Sequence, residues 1–249
     1  MRSLEEIRAR TPKREIFHGQ AQHAMLVILL ISGAVGLLND NTRIWAYLAI
    51  AIAVVHQIMV AVVFRLQLHR NTMVNIFGDR ALKVWGTIFL PFMAARPLSI
   101  ILVGLFDYGS LSGSGSFNFI LGIILILPAA WAMHSVLKYF TINRALGGDH
   151  FFDEYANLPM VNKGAFKYFP NAMYSIVFTG FWGIALLFDS QNALAVALFY
   201  HAYIWVHMYC TEEPDMRIIY GNTPEPFDEP ASANVLSGEI MPELKDDQT

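Results

Sequence analysis

Apolar runs close to 20 residues long constrain this chain more than any other feature. A run of that length crosses the hydrocarbon core of a bilayer as a helix, and a helix is one of the few structures that satisfies its own backbone there. Six hydrophobic segments stand out, near residues 22–38, 44–64, 84–106, 117–137, 172–188 and 192–209. They are continuous rather than alternating, which disfavours a membrane β-barrel. Charged residues make up 15% of the chain, against roughly 25% in a soluble domain, so a soluble enzyme is not expected. The expected fold is all-α: a polytopic integral membrane helical bundle with about six transmembrane helices.

Basic residues suggest how the spans run. Under a six-span reading, 15 of the 17 Lys and Arg fall at one end of the bundle. They are the N-terminal group Arg2, Arg8, Arg10, Lys13 and Arg14, the 65–83 and 138–171 loops, and the C-terminal residues Arg217 and Lys245. Arg43 falls at the other end and Arg96 lies within a span. The positive-inside rule then puts both termini and the long loops in the cytoplasm. No small-residue cleavage site closes the first segment, so it is read as a retained span. Asp189-Ser190-Gln191-Asn192 joins the last two spans as a tight antiparallel hairpin.

Several function classes are excluded. The net charge of −3 gives no basic field for nucleic acid. The single cysteine, Cys210, allows no internal disulfide and no Cys-based zinc cluster. The eight histidines lack the spacings of di-iron or zinc boxes. Residues 1–221 read as one transmembrane domain with its catalytic part near 140–221. Residues 222–249, rich in proline and acid, read as a disordered cytoplasmic tail.

Polar residues within membrane segments are costly, so their positions carry information. They collect in three stretches. Tyr200–Gly221 ends a span in His207, Tyr209, Cys210 and Thr211 and then meets Glu212-Glu213-Pro214. Thr211 suits the cap of a new helix with Pro214 in its first turn. Lys167–Gly180 places Asn171, Met173 and Tyr174 at the entry of a span. Asn143–Phe152 holds Gly147-Gly148-Asp149-His150, fit for a tight turn. Arg96 lies about midway along the third span, before Pro97, and is expected to face a cavity, an anion or a buried carboxylate.

Taken together, Asn171-Ala172-Met173-Tyr174, a helical hairpin, Glu212-Glu213-Pro214 and Tyr220 resemble the phosphatidylethanolamine N-methyltransferases. These are members of the wider isoprenylcysteine carboxyl methyltransferase superfamily. The resemblance covers roughly residues 140–221. Ala172 stands where the family usually has proline, and Asp215 and Arg217 are more charged than is usual there.

The resemblance implies S-adenosylmethionine as methyl donor, bound at the cytoplasmic face. Its implied binding residues are Gly148, Asp149, Asn171, Met173, Tyr174, Glu213 and Tyr220, with Glu212 or Glu213 meeting the donor's polar groups. The acceptor amine needs a base, for which His150, His207, Asp149 and the glutamates are candidates. Arg96 is a candidate for the phosphate of a membrane lipid substrate. Within the same superfamily the acceptor could instead be a prenylcysteine carboxylate or a small thiol. A sterol-reductase-like oxidoreductase and a catalytically silent scaffold are the other classes.

Overall fold

A computed structural model describes residues 3–39 and 42–221 of the 249. The tail expected at 222–249 lies outside the described residues. Among the described residues the regular structure is entirely helical. The α-helices are α1 (Leu4–Arg10), α2 (Gln20–Gly36), α3 (Arg43–Arg70), α4 (Thr72–Phe77), α5 (Ala81–Phe106) and α6 (Gly115–Ser135). Three short helices follow: α7 (Ile142–Ala145), α8 (Gly148–Phe151) and α9 (Asp153–Ala156). The last four are α10 (Ala172–Ser175), α11 (Thr179–Leu187), α12 (Gln191–His207) and α13 (Glu213–Tyr220).

Five helical stretches are long and apolar enough to cross a membrane, rather than the six expected: Lys13–Gly36, Arg43–Arg70, Thr72–Phe106, Gly115–Phe140 and Gln191–Tyr220. The segment expected at 172–188 is a shorter apolar helix, Ala172–Leu187. Its regular α-structure is interrupted between α10 and α11. At ~1.5 Å per residue it reaches about 24 Å, less than a ~30 Å hydrocarbon core.

The order of packing follows from side-chain size. α12 contacts α2, α3, α5 and α11 and buries residues on every side, among them Asn192, Val196, Phe199, Tyr200 and Tyr203. A helix that is apolar all round belongs in a core, and α12 is the central post. The outward residues Ile28, Leu98, Ile120 and Leu127 are exposed, as a lipid-facing surface requires. α6 and α11 come together through two glycines. A Cβ on Gly183 would sit 2.7 Å from the Gly122 carbonyl oxygen, and one on Gly122 would sit 2.9 Å from that of Gly183. Close backbone approach of this kind drives helix association where apolar burial cannot. The Thr179 hydroxyl also reaches the Leu125 carbonyl at 3.2 Å.

The end poor in basic residues is tied by a buried carboxylate. Asp107 accepts from the hydroxyls of Thr42 (2.7 Å), Ser110 (2.6 Å) and Ser190 (2.8 Å) and from the Asn192 amide (2.9 Å). Burial alone would raise its pKa, but these hydrogen bonds hold it below the usual carboxylate value. The knot joins α5, the start of α3 and the turn before α12.

Gly183→Ala is expected to cost about 1–3 kcal/mol through overpacking, read as a lower thermal midpoint of the detergent-purified protein. Gly36→Ala, whose Cβ meets open space, is expected to leave that midpoint unchanged or slightly raised.

Candidate active site

α12 does not stop at the end of its apolar run. The helix widens into a π-turn at Met208–Glu212 and continues as α13. Pro214 supplies a cause. It has no N–H, and its ring clashes with the carbonyl four residues earlier, which belongs to Cys210. The Cys210 carbonyl instead accepts from Arg65 Nη2 at 3.3 Å, and that of Thr211 at 3.4 Å. Gly19, at φ +77°, lies so close that a Cβ would fall 2.2 Å from the Cys210 oxygen. The cap expected from Thr211 is therefore not formed. No new helix starts there, and the Thr211 hydroxyl accepts from Gln20 at 3.4 Å. π-turns of this kind are frequent at functional sites.

Arg65 is 3% exposed and opens a buried polar chain. Its Nη1 donates to the Glu15 carbonyl (3.0 Å) and meets Asp215 Oδ1 at 3.1 Å. Nη2 also donates to the His18 carbonyl at 2.9 Å. Asp215 Oδ2 lies 3.3 Å from His150 Nε2, and His150 Nδ1 lies 2.9 Å from Asp149 Oδ1. The Tyr220 hydroxyl donates to Asp149 Oδ2 at 3.1 Å. Phe64 stacks on the His150 ring with centroids 4.2 Å apart. That stack needs Gly147, at φ +75°, because a Cβ there would fall 2.3 Å from the Phe64 ring. A Cβ on Gly148 would fall 2.8 Å from the Asn143 carbonyl, so the glycine pair serves close approach.

The chain sets the charges of its members. Burial works against an imidazolium, but hydrogen bonds and charge from Asp149 and Asp215 prevail and raise the His150 pKa from the ordinary 6.5 to about 10. Burial likewise works against the Asp149 carboxylate, and the His150, Tyr220 and Arg144 contributions hold it below the usual value.

A second acid–phenol pair involves Tyr174, whose hydroxyl donates to Glu212 Oε2. Both residues are half-buried. Among the described residues Glu212 has no ion-pair partner. Glu213 differs: it pairs with the exposed Arg217 one turn on.

The expected site residues thus divide. Asp149, His150 and Tyr220 share one network, and Tyr174 joins Glu212. Gly148 supports the turn, and Met173 is half-buried beside Tyr174. Asn171 is exposed and takes a left-handed conformation, φ +51°, at the start of α10, with no side-chain cap. His207 is 2% exposed and turned inward, its ring 6.1 Å from that of His23. Arg96 is buried with its guanidinium over the Tyr200 ring (4.6 Å) and near Phe178 (5.0 Å). No carboxylate pairs with it among the described residues. Tyr200 and Glu212 are separated by about 18 Å of helix at ~1.5 Å per residue, so Arg96 stands apart from the acid–phenol pairs. Arg65 was read from the sequence only as a loop cation, and Asp215 only as a departure from a motif. Their signal was a charge flanked by apolar residues on each of two helices.

The raised His150 pKa gives a prediction with a definite sign. Its contribution to stability is complete below the ordinary 6.5 and is lost as pH rises towards about 10. The thermal midpoint is expected to fall across that window. His150→Gln is expected to start lower and show a flatter slope there.

Residues 117–223 match the profile of the phospholipid methyltransferase family. The chain is 31% identical over 134 residues to a phosphatidylethanolamine N-methyltransferase of Debaryomyces hansenii, which is 53% of this chain and 14% of that protein. It is 32% identical over 125 residues to one of Clavispora lusitaniae, covering 47% of this chain and 14% of the relative. It is 30% identical over 138 residues to one of Malassezia globosa, covering 55% and 14%. The match thus spans about a seventh of the length of these relatives. No solved structure matches. The acid–phenol pairs, the π-turn and its Glu-Glu-Pro all lie within the matched residues 117–223, and it is this stretch that is similar to the phospholipid methyltransferase family.

Proposed function

We propose that the chain transfers methyl groups from S-adenosylmethionine to the amine headgroup of a membrane phospholipid such as phosphatidylethanolamine. The observation that carries this reading is the Tyr174–Glu212 pair, a carboxylate with no counter-cation among the described residues, beside a second acid–phenol pair, Asp149–Tyr220. The donor carries a sulfonium and an ammonium, and its ribose offers hydroxyls. Carboxylates and phenols are the groups such a ligand requires. Gly148, Asp149, Tyr174, Glu212 and Tyr220 would hold it. Glu213, engaged by Arg217, would contribute through its backbone. The bound donor supplies an activated methyl group.

The chain's own task is alignment, exclusion of water and removal of a proton. A headgroup ammonium has no lone pair and must lose a proton first. His150 holds its own proton between two carboxylates to about pH 10, so it fixes Asp149 rather than acting as base. His207 faces inward. Glu212 is the base this arrangement favours. A carboxylate acceptor, as in prenylcysteine, would face Glu212 and Asp149 as like charges, which argues against that alternative. The weight of Lys and Arg at the end holding the site supports a cytoplasmic placement of both termini and the site.

The test is transfer of labelled methyl to phosphatidylethanolamine by the purified protein in lipid nanodiscs. Glu212→Gln is expected to lower kcat by about 10²–10⁴, the usual span for a lost general base. Tyr174→Phe is expected to cost about tenfold, the effect of roughly one hydrogen bond. No transfer by the wild type to any amine lipid would overturn the reading.

A further inference from the structure

We propose that Tyr174, Trp205 and Tyr209, ending at the Glu212 carboxylate, form an ammonium-recognising wall for the acceptor headgroup. This wall favours headgroups that already carry methyl groups. The inference deepens the function proposed above and rests on it.

Trp205, Tyr209 and Glu212 follow one another along a single face of the helix that runs through the π-turn. The Trp205 and Tyr209 rings are stacked, with centroids 5.8 Å apart and planes 25° apart. Tyr174 comes from α10 and sets its ring at 76° to Trp205, with centroids 6.4 Å apart. Glu212 fixes that ring by accepting its hydroxyl. The three rings thus form one continuous surface with a carboxylate at its end. Tyr209 is 62% exposed, so the surface opens outward at that ring, while Tyr174 and Trp205 are half-buried and also pack on the core. An interfacial aromatic belt explains single rings. It does not explain three rings joined through Trp205 that lead to a carboxylate with no counter-cation among the described residues. The neighbouring Glu213 shows the contrast, since Arg217 already neutralises it.

An aromatic face attracts a cation through its quadrupole, and quaternary ammonium is the ligand this arrangement serves best. A primary ammonium is strongly hydrated and has three N–H donors to satisfy. Each methyl replaces one donor and spreads the charge over C–H surface that packs on a ring. During transfer the nitrogen lone pair forms the N–C bond as the C–S bond breaks, and that bond's electron pair goes to sulfur. Positive charge passes to the nitrogen facing the wall. Before each further round the ammonium gives a proton to the Glu212 carboxylate, which releases it to water. A trimethylated headgroup has no proton to give, and the sequence ends.

The test uses the full chain in nanodiscs as wild type, Trp205→Leu and Trp205→Phe. Phosphatidylethanolamine and its N-methyl and N,N-dimethyl forms are supplied separately as acceptors. Calorimetry measures donor affinity. It also compares a short-chain phosphatidylcholine with an isostere whose headgroup nitrogen is replaced by carbon. The wild type is expected to bind the choline lipid about tenfold tighter than the uncharged isostere. Trp205→Leu is expected to erase that preference and lower transfer to the dimethyl lipid by about tenfold, while transfer to the unmethylated lipid falls about threefold or less. Trp205→Phe, which keeps a ring, is expected to retain most of both, and donor affinity is expected to hold in both variants. Equal loss on all three acceptors, no preference in the wild type, or weakened donor binding in Trp205→Leu would each overturn the wall. A wild type that prefers the choline lipid yet methylates no amine lipid would overturn the proposed function and leave the wall standing.

Discussion

The Arg65 guanidinium is the constraint on which the basic end of this bundle depends. One planar cation occupies the place where α3, the 15–19 segment, the π-turn and α13 meet. It accepts three duties at once: it satisfies the Cys210 carbonyl released by Pro214, closes the carbonyls of Glu15 and His18, and neutralises Asp215. A lysine has no planar fork with which to divide itself among such partners. The strength of the arrangement lies less in the ion pair, whose desolvation is costly, than in the cost of leaving any of these groups without it. The helix can therefore run through a proline without breaking.

Charge is distributed in the same economical way. Arg65 and His150 are cationic, Asp215 and Asp149 anionic, and together they form a chain whose charges balance. Glu212 stands beside that chain with the Tyr174 hydroxyl as its partner and, among the described residues, no cation paired with it. These groups together therefore carry one negative charge in excess, and that charge lies beside the Tyr174 hydroxyl at the end of a row of aromatic rings. A buried, charge-balanced network lies behind it, the kind of support that a binding site needs.

Much of this was legible in the sequence because the controlling physics is local. Apolar runs announced the spans, while Glu212, Tyr174, Asp149 and Tyr220 were singled out by the family resemblance of their segments. What stayed hidden depends on helix register and on distant pairing. Arg65 and Asp215 are 150 positions apart, and nothing along the chain says that they meet. Glu213 looks equivalent to Glu212 in a linear reading, yet the π-turn aims the two differently and gives Glu213 to Arg217. The break before α11 was likewise concealed, since residues 172–188 are apolar enough to read as an ordinary span. Arg96 was conspicuous as a mid-span cation, but only the folded bundle shows it resting on rings of α11 and α12 rather than on an acid.

The short Ala172–Leu187 helix has a consequence for the membrane itself. A bilayer cannot leave its hydrocarbon standing against polar groups, so beside a helix several ångströms too short it thins or lets its polar zone sink. Gly122 and Gly183 clamp that helix to α6 and prevent it from sliding to relieve the mismatch. The depression therefore has a fixed address, beside the α10 end that carries Tyr174. Lipid headgroups that settle there would sit deeper than elsewhere on the same leaflet, closer to Tyr174 and Glu212, with no moving part required.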